Sequence, residues 1–297
     1  MRIKLLIFSV LMLLATAARG QEQTPTYFQY PIVPDSITSF NGRCDYLAEH
    51  FFDFCDLTKA FSNRAKMGQE INVYLTIISN ADPKVADANV RKLMKKLEKQ
   101  PKDQLQVAEI AESRLYGDSA EFWIDNVYLP FAESVAANKR IDKAEKARFG
   151  QQAEVLRNSL VGEPAASLEF TRPDGSKGVL TPDSTEVTVL FFNDPDCSDC
   201  RMARLRLSAD ISTNELIGEG KLKVVAISLS EPDEAWREYA SSMPSEWTVG
   251  AAPDADLIYD LRMGTPDFYV LGRNNRIRFK HIDINQMLDI SRQLKKR

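Results

Sequence analysis

Two patterns of apolar residues divide this chain. From residue 41 to residue 160, apolar side chains recur at spacings of three and four residues, which is typical of amphipathic helices. Proline, glycine and asparagine interrupt this pattern and predict helix ends at 82–83, 100–101, 117–118 and 138. Beyond residue 164, short β-branched runs alternate with helical segments. The patterns therefore predict an all-α domain followed by an α/β domain.

The second half begins after Val161-Gly162-Glu163-Pro164, which ends the helical pattern. Segments 187–192 and 221–229 predict buried strands, and the helix between them, from Ser198 to about Leu216, makes them a parallel pair. The remaining predicted elements are a hairpin over 167–182 turning at 173–175, helices over 234–242 and 254–263, a hairpin over 265–282 turning at 274–275, and a helix over 284–296.

The first twenty residues have the pattern of a secretory signal peptide. Basic residues at positions 2 and 4 precede an apolar run over 5–14 and several small residues, which predicts cleavage before Gln21. The run is shorter than the ~20 residues that span a bilayer, and no cysteine follows it to receive a lipid. We therefore expect secretion to the bacterial periplasm without stable membrane insertion. The predicted domains are 21–160, a helical domain of unknown role, and 161–297.

The charge distribution excludes some classes of partner. The net charge is −4 and acidic and basic residues are interspersed, so neither nucleic acid nor an anionic membrane is an expected partner. The basic run over 91–102 carries apolar residues at helical spacing, which indicates the solvated face of an amphipathic helix.

The most informative motif is Cys197-x-x-Cys200, which follows the buried strand 187–192 and opens a helix. A thiol at a helix start lies near the positive end of the helix dipole and near unpaired N–H groups, which favour the thiolate. Cys197 is therefore the candidate nucleophile. Cys200 lies one helical turn further on and is the candidate resolving thiol, which would attack a mixed disulfide at Cys197.

A zinc site and an inert structural pair are the alternatives for this motif. Zinc needs four ligands, and the remaining candidates, Cys44, Cys55, His50 and His281, do not form a second pair. No metal or organic cofactor is therefore expected. If one helix runs unbroken from Cys44 to Cys55, the two lie ~16 Å apart, whereas a disulfide needs Cα atoms within ~7 Å. Both are expected to be buried apolar fillers.

Segment 161–297 carries this motif, the predicted strand 221–229 and Thr265-Pro266 at the start of a later strand. In these three features it resembles the thioredoxin superfamily, specifically its envelope TlpA/ResA-like branch. The resemblance implies a central mixed sheet flanked by helices. It also places Pro266 at the family's cis-proline, facing the dithiol, with the backbone of Thr265 pairing with an extended substrate segment. The N-terminal half looks like an uncharacterised helical domain that precedes thioredoxin-like domains in secreted proteins of Gram-negative anaerobes, which implies no role.

The chain departs from the family around the dithiol. Asp196 replaces a common tryptophan, Phe191 replaces a buried acid, and Ala203 replaces the glutamate of ResA-type proteins. Three acids lie close to the motif in the sequence and oppose thiolate formation: Asp194, Asp196 and Asp199. The helix dipole and the neighbouring Arg201 favour the thiolate. A strong oxidant needs a strongly stabilised thiolate, so we expect a reductant or exchanger with a relatively negative potential.

These observations predict a periplasmic thiol–disulfide oxidoreductase that reduces or exchanges protein disulfides. Its expected partners are protein disulfide or dithiol substrates, together with a membrane-bound thiol reductant that supplies electrons. The alternative is a non-catalytic thioredoxin-like scaffold or binding protein of the cell envelope. A peroxiredoxin-type peroxidase is disfavoured because Asp194 stands where those enzymes have threonine.

Overall fold

The computed structural model describes residues 27–118, 120, 122–180 and 185–296. The predicted signal peptide, residues 1–20, lies outside this range. The chain divides into two compact units, Met1–Ala153 and Glu154–Arg297. The division falls within the helix Lys143–Asn158, and the predicted domain boundary after residue 160 stays a prediction.

The N-terminal unit is helical over its described residues. Its helices are α1 (Phe40–His50), α2 (Leu57–Ala60), α3 (Arg64–Ile78), α4 (Pro83–Lys96), α5 (Pro101–Leu115), α6 (Asp125–Ala137) and the first part of α7 (Lys143–Asn158). The breaks predicted at 82–83 and 100–101 are confirmed, because a proline opens both α4 and α5. The side chain of Asp82 accepts a hydrogen bond from the Lys84 N–H and caps α4.

The helix predicted to continue through Cys55 ends earlier than expected. Helix α1 ends at His50, and residues 51–54 form a turn that is anchored by the buried ring of Phe51 against Phe28 and Tyr74. Cys44 is buried and Cys55 is half-buried, and both are free thiols. The prediction of two buried fillers is therefore right for Cys44 and wrong for Cys55, which follows the turn rather than continuing α1.

The C-terminal unit is built on a seven-stranded mixed sheet with the order β2-β1-β5-β4-β3-β6-β7. Its strands are β1 (Leu168–Thr171), β2 (Lys177–Leu180), β3 (Val187–Asn193), β4 (Leu222–Ser228), β5 (Thr248–Ala251), β6 (Asp267–Leu271) and β7 (Ile277–Ile282). Its helices after α7 are α8 (Ser198–Ala209), α9 (Ile211–Gly218), α10 (Glu234–Ser241) and α11 (Ile284–Lys295).

Strand β3 lies inside the sheet and positions the dithiol. It pairs in parallel with β4, as the predicted β-α-β unit requires, and antiparallel with β6. Its side chains alternate between two apolar cores: Phe191 faces the one that contains Cys200, and Phe192 faces the one that contains Tyr259 and Tyr269. Both faces of the strand are thus buried, which explains its continuous apolar sequence.

Three elements of the C-terminal unit differ from the sequence predictions. The helix predicted over 198–216 is two helices, because Asp210 ends α8 and its carboxylate caps α9 by accepting the Thr213 N–H. Strand β5 was not predicted. The helix predicted over 254–263 is one short 3-10 turn, Ala255–Leu257. The hairpins β1–β2 and β6–β7 are confirmed; Asn274 and Asn275, which connect the second, have positive φ angles of 58° and 52°.

Among the helices that the structure describes, none combines the length and the apolar character needed to cross a membrane.

Candidate functional site

The two motif cysteines lie where β3 gives way to α8, at the carboxyl end of a central strand. Cys197 is the N-cap residue of α8, and its sulfur accepts the Cys200 N–H over 3.0 Å. The two sulfurs are joined in a disulfide, with Cα atoms 5.2 Å apart. Cys197 is half-buried, whereas Cys200 is completely buried. Solvent therefore reaches Cys197 rather than Cys200.

Thr265 and Pro266 lie beside this sulfur. The carbonyl oxygen of Thr265 is 3.5 Å from the Sγ of Cys197, although the two residues are 68 positions apart. The Thr265–Pro266 peptide bond is cis, as the resemblance implies. In the disulfide, the Sγ of Cys197 carries no proton. The contact with the Thr265 carbonyl oxygen therefore becomes a hydrogen bond only when the disulfide is reduced and Cys197 is a thiol. The structure thus brings Cys197, Cys200 and Thr265-Pro266 together at one site.

The acids that surround the motif have different surroundings. Asp194 is half-buried and shapes the turn, since its carboxylate accepts the Asp196 N–H over 2.9 Å and the hydroxyl of Ser230 over 3.3 Å. Asp196 and Asp199 are exposed. Solvent and salt screen exposed charges, so the charge of Asp194 is screened less than the charges of Asp196 and Asp199.

The buried side of the dithiol is apolar. Cys200 belongs to the core cluster that contains Phe191, Ala203 and Phe268, each at most 2% exposed. Two of these, Phe191 and Ala203, are the positions where the resemblance implies acids. An apolar environment disfavours a thiolate, so this packing favours the neutral thiol or the disulfide at Cys200.

A buried charged cluster on the other face of the sheet was not predicted. The carboxylate of Asp260 accepts hydrogen bonds from Arg262, Lys280 and His281, and His281 also contacts Asp267, the residue after Pro266. Asp260 and Asp267 are at most 1% exposed. One signal in the sequence could have pointed to this cluster: Asp267 opens an otherwise apolar strand, where an unpaired charge is not tolerated.

Among the described residues, no group of three or more histidine, cysteine, aspartate or glutamate side chains is arranged to hold a metal ion.

A comparison with known protein families gives a match for the N-terminal half of the chain. Residues 15–159 match the family described as a domain of unknown function, DUF5106, so a DUF5106 domain is present in the N-terminal half. No curated protein matches the chain significantly.

One solved structure shows the fold of the chain. A thioredoxin-like protein from Bacteroides caccae is 23% identical, covers 91% of this chain and 99% of its own, and superposes with a TM-score of 0.69. The C-terminal unit therefore has a thioredoxin-like fold. The predicted fold class is thus confirmed, with a helical unit followed by a thioredoxin-like sheet.

Two other solved structures cover only the thioredoxin-like half. A conserved protein of unknown function from Bacteroides fragilis is 33% identical over 44% of this chain and 98% of its own, with a TM-score of 0.41. A domain of a possible thiol-disulfide isomerase from Cytophaga hutchinsonii is 26% identical over 46% of this chain and 94% of its own, with a TM-score of 0.38.

Proposed function

We propose that this protein is a periplasmic thiol–disulfide oxidoreductase that reduces or exchanges protein disulfides. One observation carries the proposal: the half-exposed Cys197, bonded to the buried Cys200, lies 3.5 Å from the carbonyl oxygen of Thr265 at the cis-proline. An accessible sulfur, a protected partner and a neighbouring backbone acceptor are the parts that thiol–disulfide exchange on an extended chain requires.

In the reduced protein, the Cys197 thiolate attacks one sulfur of a substrate disulfide. A bond forms between Cys197 and that sulfur, the substrate S–S bond breaks, and the other substrate sulfur leaves as a thiolate that takes up a proton. Cys200 then loses its proton and attacks the Cys197 sulfur, and the first substrate sulfur leaves. The substrate gains two electrons, and the Cys197–Cys200 disulfide forms.

The substrate segment is proposed to pair with the backbone of Thr265 as an added strand. Main-chain hydrogen bonds of this kind depend little on side chains, so many protein disulfides would be accepted. Pro266 would shape the same docking groove. No role is assigned to the DUF5106 domain.

We further propose that the dithiol works as a reductant or exchanger rather than as a strong oxidant. The carboxylate of Asp194 and the apolar packing around Cys200 both disfavour the thiolate, and a dithiol with a poorly stabilised reduced form has a more negative potential. Turnover as a reductase then needs a dithiol donor, for which a membrane-bound thiol reductant is proposed. The periplasmic location depends on the pattern in residues 1–20.

The alternative function is a thioredoxin-like scaffold of the cell envelope without catalysis. It is favoured by Phe191 and Ala203, which occupy positions where the resemblance implies proton acceptors. In a scaffold, replacing both motif cysteines would leave partner binding unchanged.

The deciding experiment is the reduction potential of Cys197–Cys200, measured by equilibration in dithiothreitol or glutathione buffers followed by thiol trapping. A Cys44→Ala/Cys55→Ala background removes the two free thiols from the count. We expect one reversible two-electron transition with a negative midpoint. A midpoint above about −150 mV would contradict the reductant assignment, since strong oxidants such as DsbA lie near −120 mV. The absence of any redox transition would contradict the enzyme proposal and favour the alternative function as a scaffold.

A further inference from the structure

His281 lies between two buried carboxylates. Its Nδ1 is 2.8 Å from Oδ2 of Asp267, and its Nε2 is 3.0 Å from Oδ2 of Asp260. The two aspartates are 1% and 0% exposed, respectively. Both ring nitrogens of one imidazole are therefore used to join two carboxylates that are seven residues apart in the chain.

These contacts require an additional proton. A neutral imidazole has a single N–H, whereas an ionised carboxylate can only accept, so two ionised carboxylates need a fully protonated ring between them. On the other side, Asp260 accepts from Arg262 and from Lys280 over 2.7 and 2.6 Å. Two aspartates are thus balanced by two cations, and the imidazolium adds one positive charge.

The fold provides this arrangement through a bulge in β7. Phe268 pairs with Ile282 and Val270 pairs with Phe279, so one residue of β6 faces two residues of β7, Lys280 and His281. Neighbouring residues of a regular strand point to opposite faces of the sheet. His281 instead has a positive φ of 55°, and both Lys280 and His281 reach the same Oδ2 of Asp260. Because φ in this region is unfavourable for residues other than glycine, the surrounding contacts must compensate for it.

The two carboxylates bracket the loop that reaches the dithiol. Asp260 and Asp267 lie on either side of segment 261–266, which ends with Thr265-Pro266. The Asp260 end is also held through its backbone, because its N–H donates to the hydroxyl of Ser159 and its carbonyl oxygen accepts the hydroxyl of Tyr269. His281 therefore connects both ends of the loop whose Thr265 carbonyl faces Cys197.

We propose that protonated His281 is a positioning residue that clamps segment 261–266 and so holds Thr265 in place for a substrate strand. This inference rests on the proposed function, since it assigns a role in substrate docking. His281 does not contact the sulfurs and takes no part in the exchange step itself. When the His281 ring loses its additional proton, a lone pair of one ring nitrogen faces a carboxylate. The clamp then weakens.

The charged groups around the ring determine when the proton is lost. Burial lowers the pKa of His281, but the hydrogen bonds to Asp260 and Asp267 outweigh burial and raise it above its usual value. Burial raises the pKa of Asp267, partly opposed by His281. Lys280 and Arg262 face the same carboxylate of Asp260, and the rings of Tyr269 and His281 pack in a T-shaped arrangement. Substrate docking should therefore weaken at alkaline pH.

Steady-state reduction of insulin by the full chain, with dithiothreitol as electron donor, tests the proposal. We expect His281→Gln to raise KM about tenfold, because a hydrogen bond between charged groups is lost, while kcat changes less than about twofold. It should also remove the alkaline rise of KM. His50→Gln, the same change at the other histidine, serves as the matched control and should behave as the wild type.

A second variant separates the clamp from a general effect on folding. In His281→Gln/Asp267→Asn, the new glutamine can donate to Asp260 and accept from the new asparagine, so a neutral bridge replaces the charged one and KM should recover. An unchanged KM in His281→Gln, or a loss confined to kcat, would overturn the proposal. So would a double variant that is no better than the single one.

Two measurements remain informative if the wild type does not reduce insulin, which would contradict the proposed function. Nitrogen-15 NMR of the His281 ring should show two protonated nitrogens at pH 7; a neutral ring would overturn the clamp. Amide hydrogen exchange over 261–266 should be about tenfold faster in His281→Gln than in His50→Gln, and equal rates would overturn the clamp as well.

Discussion

The ring of Phe191 stacks on the ring of Phe268, with centroids 4.7 Å apart and planes 8° from parallel. The two rings come from the antiparallel neighbours β3 and β6, and both belong to the core cluster of Cys200. The stack therefore joins the strand that leads to Cys197 with the strand that follows Pro266. It fixes both halves of the candidate site by apolar packing.

Removing this ring should destabilise the protein. Phe191→Ala leaves a cavity in a completely buried cluster, so we expect a loss of about 3–5 kcal/mol in the free energy of unfolding. Phe279→Ala on β7 is the matched control, because Phe279 is 48% exposed and should lose much less. Urea denaturation of the two variants measures the difference, and equal losses would contradict the packing described for Phe191.

The two cysteines should differ as trapping variants. Cys200→Ser keeps the accessible Cys197 but removes the resolving thiol, so mixed disulfides with substrates should accumulate at Cys197. In the Cys44→Ala/Cys55→Ala background, Cys197→Ser keeps only the buried Cys200 and should trap nothing. Non-reducing electrophoresis of both variants, followed by mass spectrometry of the adducts, checks this. Adducts at Cys200 would reverse the assigned roles.

Two glycines should respond in opposite ways to the same substitution. A Cβ at Gly250 of β5 would collide with the ring of Phe170 of β1, so Gly250→Ala should destabilise the unit by about 1–3 kcal/mol. Gly218 ends α9 with open space around the added carbon, and Gly218→Ala should stabilise by about 0.4–1 kcal/mol. Thermal unfolding distinguishes the two, and a stabilising Gly250→Ala would contradict the placement of β5.

Stability should fall with rising pH because of His281. Its folded-state pKa is raised above the unfolded value of about 6.5, so its contribution is complete below that pH and is lost as pH rises through the folded pKa. Between pH 6 and pH 9, the wild type should therefore lose more free energy of unfolding than His281→Gln does, as measured by urea denaturation. Parallel pH profiles for the two proteins would exclude this contribution.

Local signals account for the parts of the fold that the sequence predicted. Pro83 and Pro101 open helices, Gly175 permits one hairpin turn, and Asn274 permits the other. The Cys-x-x-Cys spacing at the end of an apolar strand predicted the dithiol in the same way, since a few neighbouring residues determine the geometry. The placement of Thr265 beside Cys197 came from the resemblance, because nothing local connects residues so far apart.

The remaining features depend on pairing between distant segments. Strand β5 is four residues long, and its place in the sheet follows from pairing with β4. The cluster around Asp260 needs the bulge in β7, and a bulge is set by the register between β6 and β7 rather than by either sequence. The break between α8 and α9 was readable in principle, because Asp210 and Thr213 form a local cap.

The sulfur of Cys197 has a second task, since it receives the Cys200 N–H and starts α8. An alanine at this position removes a reactive atom and a helix cap at once, whereas serine keeps an oxygen that can accept the same N–H. The inactivity of a Cys197→Ala protein would thus have two possible causes, the loss of the reactive sulfur and the fraying of α8. The reactive sulfur is therefore also part of the structure that starts α8. A change in its oxidation state changes the hydrogen-bond acceptor in the first turn of that helix.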